Sequence, residues 1–265
     1  MSSQFKELLE RLGRDESDNV TLCYQSTIQR FTSKSIKIAL ADSTIEALDT
    51  LGNNIWFEIN PSSASTRAAL DDITGLAAVY IDIDYKDDGA GSIKNAKELI
   101  AIISDLIGTG PSAVVYSGHG VQPYWAIDPA EDFDPVLAKG VLARWGAFAR
   151  FIAGSIGVNL DSVFDLPRIF RVPGSRNMKD PDNPVDVVAT FPKEWRPITI
   201  EELNDVLITH GITSEQTAPD GFELVLAHSE WKYAADDCQF TPSIYANIRP
   251  LNNPPKSRHG WLLQQ

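Results

Sequence analysis

Residues 76–84, LAAVYIDID, decide the fold and the chemistry. Six apolar residues, Leu76 to Ile81, precede Asp82, and such a run reads as a strand buried on both faces. Side chains two apart on a strand share a face, so Asp82 and Asp84 are expected to look into one pocket. Two like charges placed that way repel unless a proton or cation lies between them. A hard divalent cation such as Mg²⁺, with its preference for oxygen ligands, resolves the conflict. The plainer alternative is a strand end opening into a solvated acidic loop, since Asp87 and Asp88 follow.

Working outward, Phe5, Leu8, Leu9 and Leu12 recur at helical spacing behind Ser2 or Ser3 as a cap. A strand is expected over Val20–Tyr24. A capped helix follows around Ser43, Ile45, Leu48 and Leu51, then a strand at Asn54–Ile59. After the aspartates, Ser92 caps a helix with Ala96, Leu99, Ile100, Ile103 and Ile107 on one stripe, closed by Gly108 and Gly110-Pro111. Ala113–Tyr116 and Val121–Ile127 flank Ser117-Gly118-His119-Gly120 as a hairpin. Asp134-Pro135 opens the longest helix, with Val141, Trp145, Phe148 and Ile152 inward. Ile169–Val172 and Val185–Phe191 read as strands, and Thr199–Leu207 as a last capped helix. Strands mixed with hairpins, without a repeated βαβ unit, predict an α+β domain with a mixed or antiparallel sheet. That domain spans residues 1–215, with its motif core over about 54–192. Residues 216–265 read as an extension: RPLNNPPKSR (249–258) has linker composition, and HGWLLQQ (259–265) resembles the opening of another helix.

Two further segments carry chemistry. In Ser117-Gly118-His119-Gly120 the glycines allow close backbone approach and the imidazole can donate to a phosphate, although a tight turn would also account for it. In Val163–Lys179, VFDLPRIFRVPGSRNMK, an aspartate in an apolar setting, Asp165, precedes Arg168, Arg171, Arg176 and Lys179. Arginine forks suit phosphate oxygens; the alternative is surface pairing with Asp180, Asp182 or Asp186. Glu131, Asp132 and Asp134 read as a solvated helix cap. Trp125, Trp145 and Phe148 read as core, and His210 and His228 as structural residues.

The chain has 265 residues, 43% of them apolar and 22% charged, with a net charge of −13. These proportions fit a globular domain and exclude a disordered tail or a disulfide-stapled mini-domain. An acidic surface repels nucleic acid and anionic membranes, so any polyanion must be held by a local basic patch or through metal ions. Cys23 and Cys238 form no ligand cluster, the N-terminus lacks an apolar signal core, and no apolar run is long enough for a bilayer. A cytoplasmic protein without a membrane partner is the expectation.

The order Tyr80–Asp84, then SGHG with QPYW (117–125), then FDLPRIFRVPGSRNMK (164–179) resembles the archaeo-eukaryotic primase superfamily. It is most similar to the primase-polymerase domains of phage and plasmid replication proteins. The resemblance covers roughly Trp56 to Phe191. It implies an RRM-like catalytic core flanked by helices, template-directed nucleotidyl transfer and a helicase domain elsewhere in the parent polypeptide. The partners would be single-stranded DNA template and nucleoside triphosphates, and the cofactor Mg²⁺ or Mn²⁺. Asp82, Asp84 and Asp165 would ligate the metals, Ser117 and His119 would contact phosphates, and Arg168, Arg171 and Arg176 would neutralise the triphosphate. Arg67 is a further phosphate or template contact. Many relatives carry histidine two residues after the second glycine, where this chain has Gln122, so His119 or Gln122 takes that role. A metal-dependent nuclease, a DxD glycosyltransferase, or a non-catalytic initiator or helicase-coupling module are the competing readings.

Overall fold

A computed structural model describes residues 3–86, 89–129 and 133–213. Helix α1 (Gln4–Arg11) begins where the Ser3 hydroxyl accepts the Lys6 amide, and it buries Phe5, Leu8 and Leu9. Strands β1 (Asn19–Gln25) and β2 (Thr32–Lys37) form an antiparallel hairpin. Helix α2 (Ala41–Thr50) starts earlier than the sequence predicts. Leu40 stands at its cap, and the Ser43 and Thr44 hydroxyls donate back to the Leu40 carbonyl instead of capping. Strand β3 (Asn54–Glu58) follows, pairing with β1.

The expected long strand at 76–84 is two pieces, β4 (Ala78–Tyr80) and β5 (Ile83–Asp84). Both pair antiparallel with β7 (Gly120–Ala126), in one unbroken register. That register places Ile81 opposite Pro123, and proline has no amide hydrogen to give the ladder. The strand is interrupted for that reason, not because the chain departs.

Helix α3 (Ile93–Ile107) runs from the Ser92 cap to Gly108, whose φ of 76° ends it. Strand β6 (Ala113–Tyr116) joins β7 through the Ser117–His119 turn. Helix α4 (Pro135–Ser155) is capped by the Asp134 carboxylate, which accepts the Val136 and Leu137 amides. Strands β8 (Ile169–Arg171), β9 (Arg176–Asn177), β10 (Val185–Asp186) and β11 (Val188–Thr190) follow, and Thr199 and Glu202 close a capping box on α5 (Ile200–Thr209).

One sheet has the order β2-β1-β3-β8, a second runs β11-β6-β7-β4 with β5 also on β7, and β9 pairs with β10 in a small third. Every pairing within them is antiparallel. Facing rings join the first two sheets: Tyr80 meets Phe170 at 5.2 Å, Tyr124 meets Phe170 at 5.9 Å, and Phe57 meets Tyr124 at 6.4 Å between centroids. On the other face of the second sheet, Trp125 packs on Trp145 of α4, and His210 stacks on Phe148. Trp125, Trp145, Phe148 and His210 are therefore core residues, as expected. Burial pushes the Cys23 thiol up to about 12, so it is an inert core group. Asp87, Asp88, Glu131, Asp132, His228, Cys238 and the 249–265 segment lie outside the described residues. No helix among the described residues is long and apolar enough to cross a membrane.

Gly146 in α4 fixes where the third motif begins. A Cβ there would lie 2.4 Å from the Phe164 ring, the residue just before Asp165. Gly146→Ala is expected to destabilise the fold by about 2 kcal/mol through overpacking. Urea titration measures the loss, and Phe164→Leu in the same chain should recover much of it.

Candidate active site

Alternation along β4 and β5 turns Tyr80, Asp82 and Asp84 to one face, toward the first sheet. Asp82 falls opposite Gln122, whose Nε2 donates to the Asp82 Oδ1 at 3.2 Å. The other end of that carboxamide, Oε1, is buried with no hydrogen-bond partner among the described residues. Burial pushes the Asp82 carboxyl up to about 6; the Gln122 bond opposes this, Asp84 and Asp161 add to it, and Arg168 counters it.

Asp84 is fixed by backbone contact. At Gly120 a Cβ would lie 2.4 Å from the Ile83 carbonyl oxygen and 3.0 Å from the Asp84 Cα, so only glycine lets β7 approach this closely. Lys86 bridges Asp84 at 3.4 Å and Asp161 at 3.5 Å.

Asp165 reaches the same region from the other side. Its backbone carbonyl accepts the Tyr80 hydroxyl at 2.8 Å, and the Tyr80 carbonyl in turn accepts the Trp145 indole N–H. Its carboxylate is held by Arg168, through Nε at 2.6 Å and through Nη2. Arg171 faces Asp82 electrostatically; burial brings its guanidinium down to about 10, with Asp82 opposing. Its position is set by the Trp56 ring, 4.6 Å below the guanidinium, and by a bond to Asn54 Oδ1.

The remaining expected residues divide. The Ser117 hydroxyl donates to the Gly120 carbonyl and so closes the β6–β7 turn. His119 is exposed on that turn. Gln122, not His119, is the second-motif side chain beside Asp82. Arg176 is drawn to Asp49: Nε meets Oδ2 at 2.9 Å, Nη2 meets the backbone carbonyl, and the Arg176 amide meets Oδ1. Its fork ties β9 to α2 instead of facing the aspartates. Arg67 lies over the Phe31 ring at 5.8 Å. Asn177 donates to the Ser117 carbonyl at 2.7 Å, joining the second and third motifs.

Asp161 and Lys86 were missed by the sequence reading. Asp161 stands four residues before Asp165 in an apolar context, the one available signal, but the segment has no regular periodicity to orient it. Among the described residues, no three His, Cys, Asp or Glu side chains gather closely enough to hold an ion. Asp82 and Asp84 nevertheless fit a hard divalent cation. A carboxyl raised first by burial and further by Asp84 and Asp161 gains from a bound cation, and the orphaned Gln122 Oε1 beside it is another oxygen donor. Asp165, paired with Arg168, is the exception.

No protein-family model and no curated protein sequence matches the chain. Among solved structures, the AEP domain of the cyanophage S-2L primase-polymerase superposes with a TM-score of 0.55 at 18% identity, covering 77% of this chain and 96% of that one. This is the primase-polymerase fold. Primase RepB′ superposes with a TM-score of 0.52 at 14% identity, over 92% of this chain and 70% of that one. At such identities the likeness establishes architecture. The primase-polymerase architecture places the motif order read from the sequence on a scaffold that brings Asp82, Asp84, Asp161, Asp165, Arg168 and Arg171 into one electrostatic neighbourhood.

Proposed function

We propose that the chain is a template-directed nucleotidyltransferase that makes and extends primers on single-stranded DNA. The observation that carries this is the pair Asp82 and Asp84, in register on one face and opposed by Arg168 and Arg171, in a primase-polymerase fold. In the reaction a 3′-oxygen bonds to the α-phosphorus of a nucleoside triphosphate. The bond to the β-phosphate oxygen breaks, pyrophosphate leaves, and the hydroxyl proton passes to solvent.

Asp82 and Asp84 would hold Mg²⁺ or Mn²⁺, with Asp165 joining on release from Arg168. When bound, the cation supplies charge stabilisation at the phosphate and acidifies the attacking hydroxyl. Gln122 orients Asp82 by its hydrogen bond. Arg171, stacked and desolvated, presents a cation of fixed direction. Arg168 carries the fork that phosphate oxygens accept as readily as a carboxylate. Lys86 tempers repulsion between Asp84 and Asp161.

The test is incorporation of labelled nucleotide on a primed and an unprimed single-stranded template with Mg²⁺ or Mn²⁺. Extended or newly initiated products are expected. Shortened primers would assign a nuclease instead, and binding without turnover a passive replication module.

A further inference from the structure

The outer face of the first sheet carries aromatic side chains that the core does not use. Phe57, the neighbour of Trp56, points inward to Phe5 and Tyr124. Trp56 therefore points outward, half-buried, with Phe31 beside it at 6.3 Å between centroids. Phe31 is 41% exposed and Ile28, on the loop between β1 and β2, is 95% exposed. Cations flank both rings: Arg67 over Phe31, and Arg171 over Trp56. The row thus runs Arg67, Phe31, Trp56, Arg171, with Arg171 within electrostatic range of Asp82.

The same hairpin carries charge of one sign only. Between Asp18 and Asp42 the chain has no carboxylate and carries Arg30, Lys34 and Lys37, all exposed, in a protein of net charge −13. An exposed ring and a half-buried one, each beside a cation, suit a ligand of alternating flat bases and phosphates. An acidic peptide would use the cations but not the rings.

We propose that Phe31 and Trp56 form a stacking platform for the bases of the single-stranded template, while Arg30 and Arg67 take its phosphates. The proposal rests on the primer-synthesis reading for the identity of the strand, but its test requires no turnover.

Anisotropy of a labelled oligothymidine with the full chain, without metal or nucleotide, measures it. Phe31→Ala should weaken binding about tenfold or more while leaving the slope of affinity against salt unchanged. Arg30→Ala and Arg67→Ala should each reduce that slope by about one. An abasic strand of equal length should bind the native protein more weakly, and the Phe31→Ala protein should no longer tell the two strands apart. Phe31→Trp should restore the preference, and unchanged thermal unfolding of Phe31→Ala excludes a folding defect.

Equal binding of both strands by the native protein, no binding at all, or a Phe31→Ala effect confined to free nucleoside triphosphate would each overturn the platform. Incorporation that persists in a Phe31→Ala protein with unaltered strand binding would refute the platform and leave the polymerase reading standing. Base-dependent binding without incorporation would do the reverse.

Discussion

Asp82→Asn is expected to abolish nucleotide incorporation and, at the same time, to make the metal-free protein more stable. The carboxyl is raised to about 6, chiefly by burial, so its charged form is disfavoured in the fold. For a group raised on folding, the associated stability is complete below its ordinary value near 4. It is lost as pH rises through the folded value near 6. At pH 7 without metal the native protein carries that penalty, on the order of 2 kcal/mol, and asparagine removes it while still accepting the Gln122 bond. The melting temperature should rise by roughly 4–8 °C at pH 7, and by much less at pH 4. Mg²⁺ or Mn²⁺ should stabilise the native protein and leave Asp82→Asn unmoved, closing the gap. Incorporation should fall on the order of a thousandfold, the scale set by losing a fixed electrostatic group. Full activity in Asp82→Asn, or equal melting at pH 7, would remove Asp82 from the centre of the site.

Gly120→Ala should be the most damaging of the glycine substitutions. The added carbon would meet the Ile83 carbonyl at 2.4 Å and the Asp84 Cα at 3.0 Å, both main chain and neither able to turn aside. Separating β5 from β7 is the only relief, at a cost of about 3 kcal/mol, and it displaces Asp84. Urea unfolding should register the loss, and incorporation should drop at least about tenfold even below the transition. Gly140→Ala is the control: its Cβ would meet nothing within 4 Å, and α4 should gain about 0.5–1 kcal/mol. Equal stability of the two variants would mean that β5 and β7 do not approach as described.

What the sequence made legible was local. The Asp134-Pro135 helix start, the Thr199 capping box and the β6–β7 hairpin depend on neighbours in the chain, and each lies where the pattern put it. The pairing of Asp82 with Gln122 was not legible, because it needs the register of β5 on β7, which no single-strand pattern contains. Arg176 belonged to a basic run that suited phosphate, but its partner is Asp49, brought close only when α2 docks beside β9. The platform escaped for a similar reason: Phe31 and Trp56 are distant in sequence and become neighbours only across β1.

Pro123 has a consequence beyond breaking a strand. Opposite it, Ile81 presents a carbonyl to which the facing residue has no hydrogen to offer, in the middle of an otherwise stitched sheet. The backbone is tied on both sides of Asp82, by the Val79–Trp125 and Ile83–Val121 pairs. The backbone beside Asp82 thus lacks one ladder bond, whereas Asp84 is wedged against Gly120. The two carboxylates of the candidate site therefore stand on backbone of unequal restraint.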